Sequence, residues 1–210
     1  MTAVAELAEA VIAGDEERTP VLSSALLAAG LGPQQVLNDG LLAGMTEVGR
    51  RFSAGEFFLP EVLVAAGAMQ AGMAVLKPHL AEAGVKPAAT AAIGTVRGDL
   101  HDIGKNLVAI MLEGAGFEVV DLGVDVTPEQ FVAVCRARLI HVVGLSALLT
   151  TTMPAMADII RRLREEVHPT PAVIIGGAPI TQAYADQIGA SGYGHDAPSG
   201  ATLAKRLCGF

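Results

Sequence analysis

Ala88-Ala89-Thr90-Ala91-Ala92-Ile93-Gly94-Thr95-Val96 is a run of small and apolar residues, and Asp99-Leu100-His101-Asp102-Ile103-Gly104 follows it two residues later. The run reads as a buried strand, and Lys105 to Ala115 beyond it reads as a helix. A histidine in the loop after a strand end lies where open α/β sheets place their ligands. Asp99 can accept a hydrogen bond from one ring nitrogen, which leaves the other unprotonated and free to face a metal. Gly104 lets the backbone come close to something large. The bland alternative is a helix cap, with Asp99 or Asp102 satisfying free N–H groups and His101 merely solvated.

Downstream the grammar repeats. Phe117–Asp121, Ile140–Leu145, Ala172–Ile175 and a weaker Gly192–Tyr193 read as further short strands, with helical spacing between them. The helix after Val126 has a clear start: Thr127 as cap, Pro128 at the first helical position and Gln130 completing a capping box. Strands recurring every 20–30 residues between helices mean right-handed βαβ units and a parallel sheet. The expected fold class is α/β, a flavodoxin-like doubly wound parallel five-stranded sheet spanning 88–210.

Upstream, residues 1–84 carry no strand signal. Leu37, Leu41, Leu42, Met45, Val48 and Phe52, then Val62, Leu63, Ala66, Met69, Met73 and Leu76, recur at helical spacing. Breaks fall at Gly14-Asp15, Gly30 to Pro33 and Ser53 to Gly55, so four helices are expected in an all-α bundle. Glu82 to Pro87 reads as a linker.

Composition narrows the function. The 210 residues carry a net charge of −8, which argues against a nucleic-acid or anionic-membrane partner. Glu6 and Glu9 interrupt the N-terminus, so no secretory signal is expected, and Val62 to Leu76 reads as too short and weak for a membrane span. Cys135 and Cys208 lie far apart without metal-ligand spacing, which suits reduced thiols in a cytoplasmic protein.

Three more strand-end loops fall on the side of His101: Gly144 to Thr152, Ile175-Gly176-Gly177-Ala178, and Tyr193-Gly194-His195-Asp196-Ala197. Each alone is an ordinary turn. Together they line one crevice with glycines and hydroxyls. The order Asp99-x-His101-x-x-Gly104, Ser146-x-Leu148, Gly176-Gly177 resembles the three-part pattern of cobalamin-binding domains. Met45, Val48-Gly49, Phe52, Gly55-Glu56 and Phe58-Leu59-Pro60 resemble the helical cap module of cobalamin-dependent methionine synthase and of free-standing corrinoid methyl carriers. The resemblance runs from about Gln34 to the C-terminus and is nearest to small corrinoid proteins serving methanol, methylamine, glycine betaine or aryl methyl ether methyltransferases.

That resemblance implies a cofactor and roles. The cofactor would be cobalamin or a related corrinoid, carried as methylcobalamin, with His101 as the axial ligand of cobalt and Asp99 orienting it. Thr152 stands where the methionine synthase pattern has a serine, so the His–Asp–hydroxyl relay survives with a substitution. Ser146, Leu148, Thr150, Gly176, Gly177 and Ala197 would line the groove for the displaced nucleotide tail. Phe52, Leu59 and Val62 would cover the face where the methyl group sits, in a cap domain spanning 1–84. The implied activity is methyl carriage rather than catalysis. Implied partners are a substrate-specific corrinoid methyltransferase, an acceptor methyltransferase and a reductive activator. Rival readings are the small subunit of an adenosylcobalamin mutase, which has no reason to carry a methyl-shielding cap, a cobalamin-dependent sensor, and a flavodoxin-like protein without cobalamin, which leaves His101 unexplained. His79, His141 and His168 lie outside the crevice, His195 reads as a tail contact or solvated, and Arg161, Arg162, Arg164, Glu165 and Glu166 read as a solvated helix face available for docking.

Overall fold

The structure, a computed structural model, describes residues 2–210. The chain divides into two compact units, Met1–Pro87 and Ala88–Phe210.

The first unit is all helix: α1 (Ala3–Ile12), α2 (Arg18–Ala28), α3 (Pro33–Gln35), a π-helical stretch (Val36–Leu42), α4 (Ala43–Ser53) and α5 (Leu59–Glu82). From Pro33 to Ser53 the backbone never leaves the helical region, so this segment acts as one rod and the unit has four rods. α1 packs against the π-helical stretch and α4, and α2 packs against α5. Close approach rests on small residues: a Cβ at Gly40 would stand 2.5 Å from Leu7, and one at Gly44 would stand 2.8 Å from Val11. Glu61 caps α5 by accepting the Phe58 N–H at 2.9 Å.

α5 corrects one expectation. The apolar stretch is not short: the helix runs 24 residues and has the length and composition to cross a membrane. Its buried residues, Val62, Ala65, Ala66, Ala68, Met69, Gly72, Leu76 and Leu80, recur at helical spacing, which is the pattern of a core helix packed on one side.

The second unit alternates β1 (Ala89–Thr95), α6 (Ile103–Gly114), β2 (Phe117–Asp121), α7 (Pro128–Ala137), β3 (Val142–Ser146), α8 (Pro154–Glu166), β4 (Ala172–Gly176), α9 (Gln182–Ile188), β5 (Gly192–Tyr193) and α10 (Ala197–Cys208). All strands are parallel, in the order β2-β1-β3-β4-β5. That is the flavodoxin-like order, in which the strand order reverses between β1 and β3. α6 and α10 pack together, as do α7 and α8. Phe131, Met156, Ile159, Ile160 and Leu163, with Leu145 and Ile175 of the sheet, form a core with almost no solvent contact. Burying a side chain of this size contributes about 1.5–3 kcal/mol. β1 is buried along its whole length, as its run of small and apolar residues allows.

Element ends differ from expectation by one to two residues. α6 begins at Ile103 rather than Lys105, because Asp102 takes the cap position and places Gly104 in the first turn. The first-turn N–H groups have no helical partner, so glycine costs little there. β3 begins at Val142 rather than Ile140. The imidazole of His141 accepts the Thr90 N–H at Nδ1, 3.0 Å away, and so stands in for a strand partner.

Candidate functional site

The parallel register sets Thr95, Ser146 and Gly176 side by side at the carboxyl ends of β1, β3 and β4. Their following loops therefore meet along one edge of the sheet. This is the edge where the strand order reverses, and open α/β sheets bind ligands there.

Asp99 is the hub. It is fully buried, and five donors converge on its carboxylate. Oδ1 accepts from His101 Nδ1 at 2.7 Å and from the His101 backbone N–H at 3.1 Å. Oδ2 accepts from the backbone N–H groups of Leu148 at 2.8 Å and Leu149 at 3.2 Å, and from the Thr152 hydroxyl at 2.8 Å. Burial pushes the Asp99 carboxyl up. The hydrogen bonds from His101, Leu148 and Thr152 outweigh that and hold it well below the usual carboxylate range. Asp99 is therefore ionised and has no proton to donate. The hydrogen between it and His101 belongs to the ring, on Nδ1, which leaves Nε2 as the ring nitrogen not engaged by Asp99.

The His101 side chain is 53% exposed, while Asp99 is sealed beneath it. The Thr95 hydroxyl donates to the His101 carbonyl at 2.9 Å and fixes the backbone behind the ring. Around the imidazole stand Leu100 and Ile103, 71% and 69% exposed, with Leu148 and Leu149 also open. An exposed apolar rim around a single basic nitrogen suits a large flat ligand with a metal at its centre.

The donor set agrees. Among the described residues no group of three or more His, Cys, Asp or Glu side chains could hold a metal ion. One imidazole with a carboxylate behind it is an axial ligand for a metal that brings its own equatorial ring, not a cage for a bare ion. Gly104 gives a second, steric test. A Cβ there would meet no protein atom within 4 Å, and its backbone is not left-handed. No protein contact around Gly104 demands a glycine, whereas a ligand lying over the start of α6 would. The residues present fit a corrinoid.

The sheet edge brings together most of the expected tail contacts. Gly177 is forced: its φ is +130°, and a Cβ would stand 1.9 Å from the Ala147 carbonyl. Gly176 and Ser146 are partly open, Thr150 and Leu148 are exposed, and Ala197 is buried in the first turn of α10. Thr152 is buried as well, so its hydroxyl serves Asp99 rather than a ligand. His195 is exposed, with Nε2 3.4 Å from Asp196. In the helical unit Phe52 and Leu59 are half-buried, Val62 is fully buried, and Phe58 and Leu63 are open.

Sequence reasoning missed the two leucine amides on Asp99, the Thr95 contact and the apolar rim. Backbone donors leave no residue signature. Leu100 and Ile103 were visible as apolar residues in a polar loop, which is a signal for an exposed surface with a use.

Comparison with known proteins supplies the remaining evidence. Two families, each described as a B12 binding domain, match residues 89–201 and residues 3–77. The dimethylamine corrinoid protein 1 of Methanosarcina acetivorans is 45% identical over 96% of this chain and 95% of its own. This chain belongs to the B12-binding corrinoid proteins. The trimethylamine corrinoid protein of Methanosarcina barkeri is 44% identical over 92% of this chain and 91% of its own. Among solved structures, the methanol:cobalamin methyltransferase complex MtaBC of Methanosarcina barkeri superposes with a TM-score of 0.88 at 31% identity, over 99% of this corrinoid protein and 80% of that chain.

Proposed function

We propose that this corrinoid protein carries a methyl group on the cobalt of a bound corrinoid, receiving it from a substrate-specific methyltransferase and delivering it to an acceptor methyltransferase. The observation that supports this best is the Thr152–Asp99–His101 chain, which ends in an exposed imidazole on loops that also expose Leu100, Ile103, Leu148 and Leu149. Corrinoid proteins of this family work with methyltransferases, and relatives named for dimethylamine and trimethylamine are 45% and 44% identical to this chain. Carriers named for different amines are thus about equally similar, so the choice of donor rests with the partner enzyme.

When bound, the corrinoid supplies a cobalt centre that accepts and releases a methyl group. This chain's residues do the rest. His101 Nε2 would ligate the metal. Asp99, held ionised by its five donors, orients the ring and raises its basicity. Thr152 supplies the hydroxyl end of the relay and shares the carboxylate's charge. Ser146, Thr150, Gly176 and Gly177 line the groove for the nucleotide tail, with Ala197 beneath it. Phe52, Leu59 and Val62 of the helical unit would shield the methyl group from water. Cytoplasmic location and a reductive activator as a further partner complete the reading.

The test is methyl exchange. Protein loaded with methylcobalamin should lose its methyl group only when a methyltransferase and its acceptor are both added, because nothing in this chain holds a donor or acceptor in reach. Clearly tighter binding of adenosylcobalamin, with a carbon-skeleton rearrangement on adding a large partner subunit, would contradict it.

A further inference from the structure

The loop between β2 and α7, residues 122–127, runs along the end of β1 and reaches the loop that carries His101. Leu122 N–H donates to Ile93 at 2.8 Å, and Thr95 N–H donates to Gly123 at 3.0 Å. Val126 N–H returns a bond to Thr95 at 2.9 Å. These contacts continue the β1–β2 pairing past the ends of the strands. Beyond them, one side chain crosses over. Gly98 N–H donates to Asp125 Oδ1 at 2.7 Å, and Asp125 N–H donates to the Asp99 carbonyl at 3.0 Å. Asp125 thus brackets the peptide between Gly98 and Asp99 from both sides.

Asp125 has a φ of +54°, and it is the only non-glycine residue in the left-handed region among those described. That conformation is unfavourable for an L residue, with Asp and Asn the best tolerated. Glycine would adopt it freely, but glycine carries no acceptor. An aspartate held there keeps the side chain aimed at Gly98 at a conformational cost, which marks a residue whose geometry matters. Lys105 ties the same loop from the other end. Its ammonium, on a side chain only 2% exposed, reaches Asp121 Oδ2 at 2.5 Å, and Asp121 Oδ1 accepts the Gly123 N–H at 2.9 Å.

We infer that Asp125 is a positioning residue for the cobalt ligand: by pinning Gly98 and Asp99 it sets the height and tilt of His101 at the sheet edge. The inference rests on the corrinoid reading and extends it, since Asp125 touches neither His101 nor its ring. The Asp99 carboxylate orients the imidazole, and Asp125 holds the backbone from which that carboxylate hangs.

Three variants separate the two things Asp125 does. Asp125→Asn keeps an acceptor oxygen and tolerates the left-handed backbone. Asp125→Gly keeps the backbone and removes the acceptor. Asp125→Ala removes both. Two readouts apply. In cobalamin-free protein, amide exchange at Gly98 and the His101 Nδ1 proton resonance report the pinned loop. In protein grown with nitrogen-15 histidine and loaded with ordinary cobalamin in its paramagnetic cobalt(II) form, the twofold splitting of the cobalt lines in the electron spin resonance spectrum reports the histidine-ligated fraction.

Asp125→Asn should match the parent in both. Asp125→Gly should stay folded, bind cobalamin one-to-one, exchange Gly98 faster, and show a histidine-ligated fraction lower by about tenfold, the scale expected for one charge-assisted hydrogen bond. Asp125→Ala should be no better than Asp125→Gly. If Asp125→Gly kept the parent's exchange rate and ligated fraction, the inference would be overturned. Absence of histidine splitting in the parent itself would count against the corrinoid reading, and Gly98 exchange and the Nδ1 resonance would then decide the role of Asp125 alone.

Discussion

Thr152 and Asp99 stand fifty-three residues apart in the chain and 2.8 Å apart in the fold, joined by a buried hydrogen bond beneath His101. The bond links the loop after β3 to the loop after β1 and ends a relay that begins at the exposed imidazole. The hydroxyl has one proton and two acceptors in reach, Asp99 and the Leu149 carbonyl at 2.8 Å. The ionised carboxylate is the stronger acceptor.

Thr152→Ser should therefore be close to neutral, since it keeps the hydroxyl. Thr152→Val should lower stability by about 1–2 kcal/mol, because Asp99 loses one donor in a dry site but keeps the Leu148 and Leu149 amides. Urea unfolding of the two variants beside the parent checks this, and equal losses would show that the hydroxyl is not the group that matters.

Two glycines should behave in opposite ways. Gly177→Ala drives a methyl group into the Ala147 carbonyl from a backbone already at φ +130°. It should cost about 2–6 kcal/mol of stability, from strain and overpacking together. Gly104→Ala meets only open space. It should leave folding within about 0.5 kcal/mol of the parent. It should weaken cobalamin binding roughly tenfold or more, because its methyl group takes the ligand's room. Thermal unfolding and titration with hydroxocobalamin measure the two effects separately.

Acid should weaken the turn between α4 and α5. The Arg50 and Arg51 guanidinium groups on Glu47 hold its carboxyl down at about 2, and Arg50 reaches on to Glu56 at 3.2 Å. A folded-state pKa below the ordinary value means that the stabilisation is complete above about 4.5 and is lost as pH falls towards 2. The effect is small because the group is exposed, and salt should mute it. Melting temperatures of the parent and Glu47→Gln should converge as pH drops from 5 to about 2.5 at low salt.

The proposed role of Phe52 has an optical signature. Phe52→Ala should leave cobalamin bound through the sheet unit while the methylated cofactor loses its methyl group faster in light. Photolysis rates equal to the parent's would assign Phe52 to packing alone.

Much of this was legible in the residues, for reasons that differ by element. β1 and β2 announced themselves through apolar runs, and the start of α7 through Thr127, Pro128 and Gln130, because capping chemistry is local. The pairing of Thr152 with Asp99 was readable because a hydroxyl at that spacing has a family precedent. What stayed hidden is what the backbone does. The Leu148 and Leu149 amides, the left-handed turn at Asp125 and the π-helical stretch at Val36–Leu42 depend on how loops meet, and no residue type encodes them uniquely. The length of α5 was underestimated because Gln70 and its glycines looked like interruptions. They lie inside a continuous helix, where Gly72 lets Leu41, Thr19 and Ser23 come close.

The central claim is that His101 Nε2, freed by the Asp99 carboxylate, is the lower ligand of the cobalt. Growing the protein with nitrogen-15 histidine and loading it with ordinary cobalamin in the cobalt(II) form tests this directly by electron spin resonance. Ligation by His101 predicts that each cobalt line, split into three by the common nitrogen isotope, becomes split into two, and that His101→Ala abolishes the change. A threefold splitting that persists in the labelled protein would mean that the cofactor keeps its own base on the metal, and the account would be wrong at its centre.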